Sequence, residues 1–158
     1  MPMSSDYVKM EFPSLPENVA FARTAVAVYA SRLDFTLDEI DEIKVATSEA
    51  VSNSLVHGYR GTVGPVRLSL SVEHGALVIT VEDEGQGIAD VEWARQPTHT
   101  TAPDERMGLG LVFIGEYMSA VELSSKPNRG TRIRMVKRPV QHGAPPAGGA
   151  SRGASTRH

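Results

Sequence analysis

The stretch Val45-Ala-Thr-Ser-Glu-Ala-Val-Ser-Asn-Ser-Leu-Val-His57 constrains this chain more than any other segment does. It reads as a mostly apolar helix, and Glu49 is its one formal charge between Lys44 and Arg60. A carboxylate carried into a packed layer is costly unless a partner or a metal compensates it. Asn53 lies four residues on, so the two side chains project from one helical face. A carboxylate and an amide oxygen one turn apart suit activation of a hydroxyl beside a hard cation, which points to a nucleotide site.

Length and composition set the outer limits. A chain of 158 residues is long enough to bury a sizeable core as one domain. The formal net charge of −3 gives no electrostatic case for direct nucleic-acid binding. The absence of cysteine excludes disulfides, thiolate metal sites and a cysteine nucleophile, and is consistent with a reducing compartment. No run approaches the roughly 18 apolar residues of a membrane span. The opening Met-Pro-Met-Ser-Ser-Asp has neither the basic region nor the apolar core of a signal peptide. The expectation is a cytoplasmic protein with no membrane association.

Residues 7–12 alternate like an opening strand. Ser14 and Glu17 have capping-box spacing, with Pro16 in a first turn, so an Ala- and Val-rich helix is expected to run to about Ser31. Thr36 and Glu39 repeat that signature and start the helix that carries Glu49, which is expected to end near His57-Gly58. Val66–Val72 and Ala76–Glu82 alternate apolar and polar residues around Glu73-His74-Gly75, a β-hairpin pattern. From Asp83 to about Met107 the periodicity stops, which fits a long functional lid, the alternative being simple surface disorder. A short helix over Gly108–Met118, entered through glycines, and a second hairpin of Val121–Ser125 and Thr131–Val136 close the pattern. Residues 1–140 thus form the domain, and the Gly/Ala/Pro-rich remainder, 141–158, is expected to be a disordered tail. The order strand, two helices, two strands, lid, helix, two strands predicts an α+β fold: a two-layer sandwich with helices on one face of a mostly antiparallel sheet.

Three glycine-containing elements follow the Glu49 helix. In Glu82-Asp83-Glu84-Gly85-Gln86-Gly87-Ile88, Asp83 at a strand end can accept a hydrogen bond from an exocyclic amine, and Gly85 and Gly87 let backbone approach a flat ring. In Arg106-Met107-Gly108-Leu109-Gly110-Leu111, free N–H groups at a helix start would form an anion site. In Gly130-Thr131, a hydroxyl could support Asp83. Each element alone is a common turn. Neither the G-K-[ST] phosphate loop nor the Rossmann spacing occurs.

Taken in order, Glu49/Asn53, D-E-G-Q-G-I, M-G-L-G-L and G-T resemble the N, G1, G2 and G3 boxes of the GHKL ATPase/kinase superfamily. That resemblance implies the Bergerat ATP-binding fold, with ATP held between helices and sheet under a mobile lid. The runs E-F-P-S-L-P-E-N-V-A-F-A-R, D-E-I-D-E-I-K-V-A-T-S-E-A-V-S-N-S-L-V-H-G-Y and E-R-M-G-L-G-L further resemble the sporulation anti-sigma-F family of serine kinases, over about residues 7–138. The stress-response sigma-B-type kinases are the sibling alternative.

The resemblance implies a role for each matching residue. Glu49 corresponds to the catalytic glutamate and Asn53 to the Mg²⁺-binding asparagine. Asp83 corresponds to the residue that recognises the adenine amine, with Gly85 and Gly87 beside the base and Thr131 in support. Gly108, Leu109 and Gly110 correspond to the phosphate-binding run, and Arg106 to the lid arginine near the γ-phosphate. Arg23 corresponds to a partner-contacting arginine on the first helix, although its plain reading is a solvated helix charge. His57 fits helix capping or a ligand contact, and Trp93 a lid anchor or local packing. Met107 stands where the family has a small residue.

The implied protein is an ATP- and Mg²⁺-dependent serine kinase. It would act as a homodimer on a serine of a STAS-type anti-anti-sigma factor and bind a sporulation sigma factor. The rivals are an ATP-gated sigma-binding module without phosphotransfer, the detached catalytic domain of a histidine kinase, and a stand-alone ATPase.

Overall fold

A computed structural model describes residues 6–87 and 102–140, with backbone alone for 102–109. Its elements run β1 (Tyr7–Pro13), α1 (Pro16–Ala30), α2 (Leu37–Asn53), a π-helical segment (Ser54–Tyr59), β2 (Pro65–Glu73), β3 (Ala76–Asp83), α3 (Ala102–Tyr117), β4 (Ala120–Lys126) and β5 (Gly130–Lys137). The sheet has five strands in the order β1-β2-β3-β5-β4, and every neighbouring pair is antiparallel. The α+β expectation holds.

Strand period decides which side chains meet the helices. Leu77, Ile79 and Val81 of β3 lie in register with Val72, Leu70 and Leu68 of β2 and with Lys137, Met135 and Ile133 of β5. The buried residues of this face join Ile43, Ala46, Ala50 and Val51 of α2 in one core. Full burial of each large aliphatic side chain contributes about 1.5–3 kcal/mol. Helix α2 packs between α1 and α3. Asp83 is the next member of the β3 row, so the same alternation that buries Val81 carries a carboxylate into the interlayer space.

Helix α2 begins as its sequence predicts. The Thr36 hydroxyl accepts the Glu39 N–H at 3.1 Å, and the Glu39 carboxylate accepts the Thr36 N–H at 2.8 Å. Three local expectations are corrected. Leu15, not Ser14, is the N-cap of α1 and makes no side-chain cap, because Pro16 fixes the first turn one residue later than the capping box requires. The Ser14 hydroxyl instead accepts the Gly64 N–H at 3.0 Å. Regular α2 ends at Asn53, and the helix widens into the π segment before Arg60 turns left-handed at φ 45°. Finally, α3 starts at Ala102 rather than Gly108, with Pro103 in its first turn and Asp104 and Glu105 close to its N-terminus. Residues 102–107 of the expected lid are therefore helix, and the rest of that lid beyond Gly87, Trp93 included, lies outside the described residues, as do 141–158.

Candidate functional site

The site is built where β3 runs out beneath the π segment. Asp83 is 7% exposed, and both of its carboxylate oxygens already receive donors. Ser54 donates its hydroxyl to Oδ2 at 2.8 Å, and the Gly85 N–H donates to Oδ1 at 2.9 Å. A carboxylate accepts only, with about four lone-pair positions, so a further ligand must bring a donor. Asn53, Ser54, His57, Asp83, Gly87 and Thr131 line one narrow crevice between the π segment and the sheet. The residues expected to meet the base and the metal are thus neighbours, although Asn53 and Asp83 stand thirty residues apart in sequence.

The loop after Asp83 has its backbone donors accounted for in sequence order. Glu84 N–H donates to the Tyr59 hydroxyl at 2.7 Å, Gly85 N–H to Asp83, and Gln86 N–H to the Gly58 carbonyl at 2.9 Å. From the other side, the Asn128 N–H of the β4–β5 turn donates to the Gln86 carbonyl. These contacts explain the glycines differently from the expected approach to a flat ring. A Cβ on Gly85 would lie 2.3 Å from the Gly58 carbonyl oxygen, and one on Gly87 (φ +74°) 1.9 Å from that of Lys126. The chain itself fills the space that a side chain would need.

Glu49 stands one turn before Asn53, half-buried on the seam between α2 and α3. Its Oε1 is 2.7 Å from where a Cβ on Gly110 would sit, so the carboxylate rests over bare glycine backbone. Gly108, Leu109 and Arg106 lie in the same helix. Because α3 begins six residues before Gly108, the expected anion site of free N–H groups at that glycine is not formed here: mid-helix N–H groups bond to the preceding turn. Among the described residues no group of three or more His, Asp or Glu side chains could hold a metal ion by itself. A hard cation here would need ligand oxygens beside the Asn53 amide.

Thr131 faces Asp83 in the β3–β5 register, and its hydroxyl lies 2.9 Å from that of Ser125. Among the described residues, the hydroxyl that reaches Asp83 belongs to Ser54. Ser54, Gly58 and Tyr59 are the site residues that sequence reasoning missed. Their one signal was position, immediately after Asn53 on the same helix. Arg23, on α1, reaches Ser48 Oγ at 3.4 Å, so its guanidinium lies on the α1–α2 seam next to the residue preceding Glu49.

This fold is that of an ATPase domain, and the sequence profile of the histidine kinase-like ATPase domain matches residues 12–137. The chain belongs to that family. Its relatives sharpen the placement: it is 44% identical over 130 residues to the anti-sigma F factor of Bacillus subtilis (strain 168), covering 81% of this chain and 89% of that one. It is 41% identical over 136 residues to that of Clostridium kluyveri, with 85% and 96% covered. For the anti-sigma F factor of Pasteuria penetrans the identity is 43% over 141 residues, with 86% and 93% covered. Among solved structures, the RsbU and RsbW domains of Rv1364c from Mycobacterium tuberculosis superpose with a TM-score of 0.62 at 18% identity, covering 85% of this chain and 32% of that one. A blue-light activated histidine kinase of Erythrobacter litoralis gives a TM-score of 0.51 at 24% identity, over 69% of this chain and 33% of that one. At those identities the likeness concerns the fold alone.

Proposed function

We propose that this chain is an anti-sigma factor and an ATP-dependent protein serine kinase, with a STAS-type anti-anti-sigma factor as its phosphate acceptor. The observation that carries the reading is the pairing of Glu49 with the Asp83 crevice through Asn53, one helical turn away. In the reading, Asp83 accepts a hydrogen bond from the adenine amine, and the Asn53 amide oxygen turns towards the phosphates. Asn53 is the residue that would hold Mg²⁺, and the ion would supply positive charge to offset that of the phosphates. Glu49 takes the proton from the acceptor serine. The serine oxygen forms its bond to the γ-phosphorus as the bond to the β–γ bridging oxygen breaks and ADP leaves. Arg106 stabilises the transferring charge, and Gly108 and Gly110, lacking side chains, leave room beside Glu49 for the phosphates without supplying free N–H groups to them. The sigma factor binds a cytoplasmic homodimer, with Arg23 at the partner surface, and the unphosphorylated STAS protein displaces it. The 41–44% identity to anti-sigma F factors supports this assignment.

Glu49→Gln keeps the shape of the side chain and removes the base. Incubated with labelled ATP, Mg²⁺ and a STAS partner, the variant is expected to lose at least about a hundredfold in phosphotransfer while binding ADP within twofold of the parent protein. Retained transfer would reassign the base. Absence of transfer by the parent protein, with ATP and sigma binding intact, would leave an ATP-gated binding module.

A further inference from the structure

Tyr59 has no part in the chemistry just described, yet its hydroxyl joins three elements. It ends the π segment, accepts the Glu84 N–H at 2.7 Å and donates to the Pro65 carbonyl at 2.6 Å. Glu84 directly follows Asp83, and Pro65 opens the neighbouring strand. The ring is held as well: a Cβ on Gly64 would lie 2.3 Å from Tyr59 Cε1. Burial pushes the phenol above its ordinary pKa, so the hydroxyl keeps its proton for Pro65 at neutral pH. Together, the Gly58 carbonyl on Gln86 and the Tyr59 hydroxyl on Glu84, from consecutive residues at the helix end, grip the loop on both sides of Gly85.

We infer that Tyr59 is a positioning residue for base recognition, fixing the loop behind Asp83 so that its carboxylate meets the base in one orientation. The inference rests on the nucleotide reading above. A carboxylate so fixed presents acceptors alone, favouring a 6-amino purine over a 6-oxo purine. A loose one swings and discriminates less. Tyr59→Phe keeps the ring and removes only the bridge.

The test compares the full chain with Tyr59→Phe and Tyr29→Phe, measuring ADP and IDP binding by calorimetry beside thermal melting. Tyr29 is the control, because its hydroxyl also makes part-buried hydrogen bonds, to Asp6. Tyr59→Phe is expected to weaken ADP binding about fivefold to tenfold, the worth of one or two neutral hydrogen bonds. Its preference for ADP over IDP should fall by a similar factor, and Tyr29→Phe should keep both. Gly64→Ala, which pushes on the same ring from outside, should shift the preference in the same direction. An unchanged ADP/IDP ratio in Tyr59→Phe, with only the melting temperature lowered, would make the residue merely structural. Failure of the parent protein to bind ADP would overturn the nucleotide reading itself, and this inference with it.

Discussion

Glu49 owes its position to what Gly110 lacks. Glycine inside a helix costs about 1 kcal/mol relative to alanine, so stability alone would favour alanine at position 110. A methyl there would stand 2.7 Å from Glu49 Oε1, and the carboxylate, being the free end of a flexible side chain, would have to move. Gly110→Ala should therefore melt at the same temperature as the parent protein or a few degrees higher. Its phosphotransfer should fall by more than about tenfold, since a misplacement near 1 Å can cost two orders of magnitude. Melting curves and initial rates on one preparation test the split, and a variant as active as the parent protein would mean that the reaction does not need the carboxylate held over bare glycine at position 110. Glu49, Asn53 and Asp83 were legible in the sequence because helix and strand periods fix which face each one takes. Ser54 was not, because nothing local says that its hydroxyl ends on a carboxylate twenty-nine residues away.

Elements bring these residues into phase, and α2 is the one whose phase matters most. Its first turn is set by the reciprocal bonds of Thr36 and Glu39, and the 3.6-residue period then aims Glu49 and Asn53. The same Glu39 carboxylate accepts the Val140 N–H at 3.2 Å, tying the chain after β5 to the start of α2. Thr36→Ala should cost about 1 kcal/mol, read as a lower urea midpoint with an unchanged slope; no change would mean that the cap is satisfied by water. That cap was readable because its partners are three residues apart. The π segment was not: six residues from Ser54 to Tyr59 carry no composition that separates a widened turn from an ordinary one. The start of α3 was misplaced for a related reason. Gly108 and Gly110 look like a helix entrance, whereas the entrance signal that prevails, Pro103 followed by two acids, lies in an aperiodic stretch that resembles a lid. Glycine tolerated for a close contact and glycine used as punctuation are the same letter.

At the scale of the whole molecule, the two sheet faces do different work. Away from the helices, Glu11, Arg67, Glu82 and Arg132 fall in one cross-strand row, with Arg132–Glu82 at 3.1 Å and Arg67–Glu84 at 2.7 Å. Donating a hydrogen bond to the Glu84 carboxylate raises the Arg67 guanidinium pKa, against a smaller opposing effect of burial. Ion pairs this exposed typically contribute less than about 1 kcal/mol, so the fold is held mainly from the helical side. There, two tyrosine hydroxyls pin distant segments: Tyr29 of α1 reaches Asp6 ahead of β1, and Tyr59 reaches Pro65 and Glu84. Burial is the main cause raising both phenols above 10.0, their ordinary value. A group with a raised folded-state pKa holds its proton more tightly folded than unfolded. Between the two values the unfolded chain carries fewer protons, so stability falls as pH rises. The contribution is whole below pH 10 and is lost as pH climbs from 10 through the folded-state values. Urea midpoints for the parent protein should accordingly drop more steeply above pH 10 than those of the double variant Tyr29→Phe/Tyr59→Phe. The double variant starts less stable at pH 8 but has no phenol to ionise at either site. Lysine deprotonation affects both proteins alike and cancels in the comparison. Parallel curves from pH 8 to 11 would mean that neither hydroxyl is held more tightly in the fold than in the open chain.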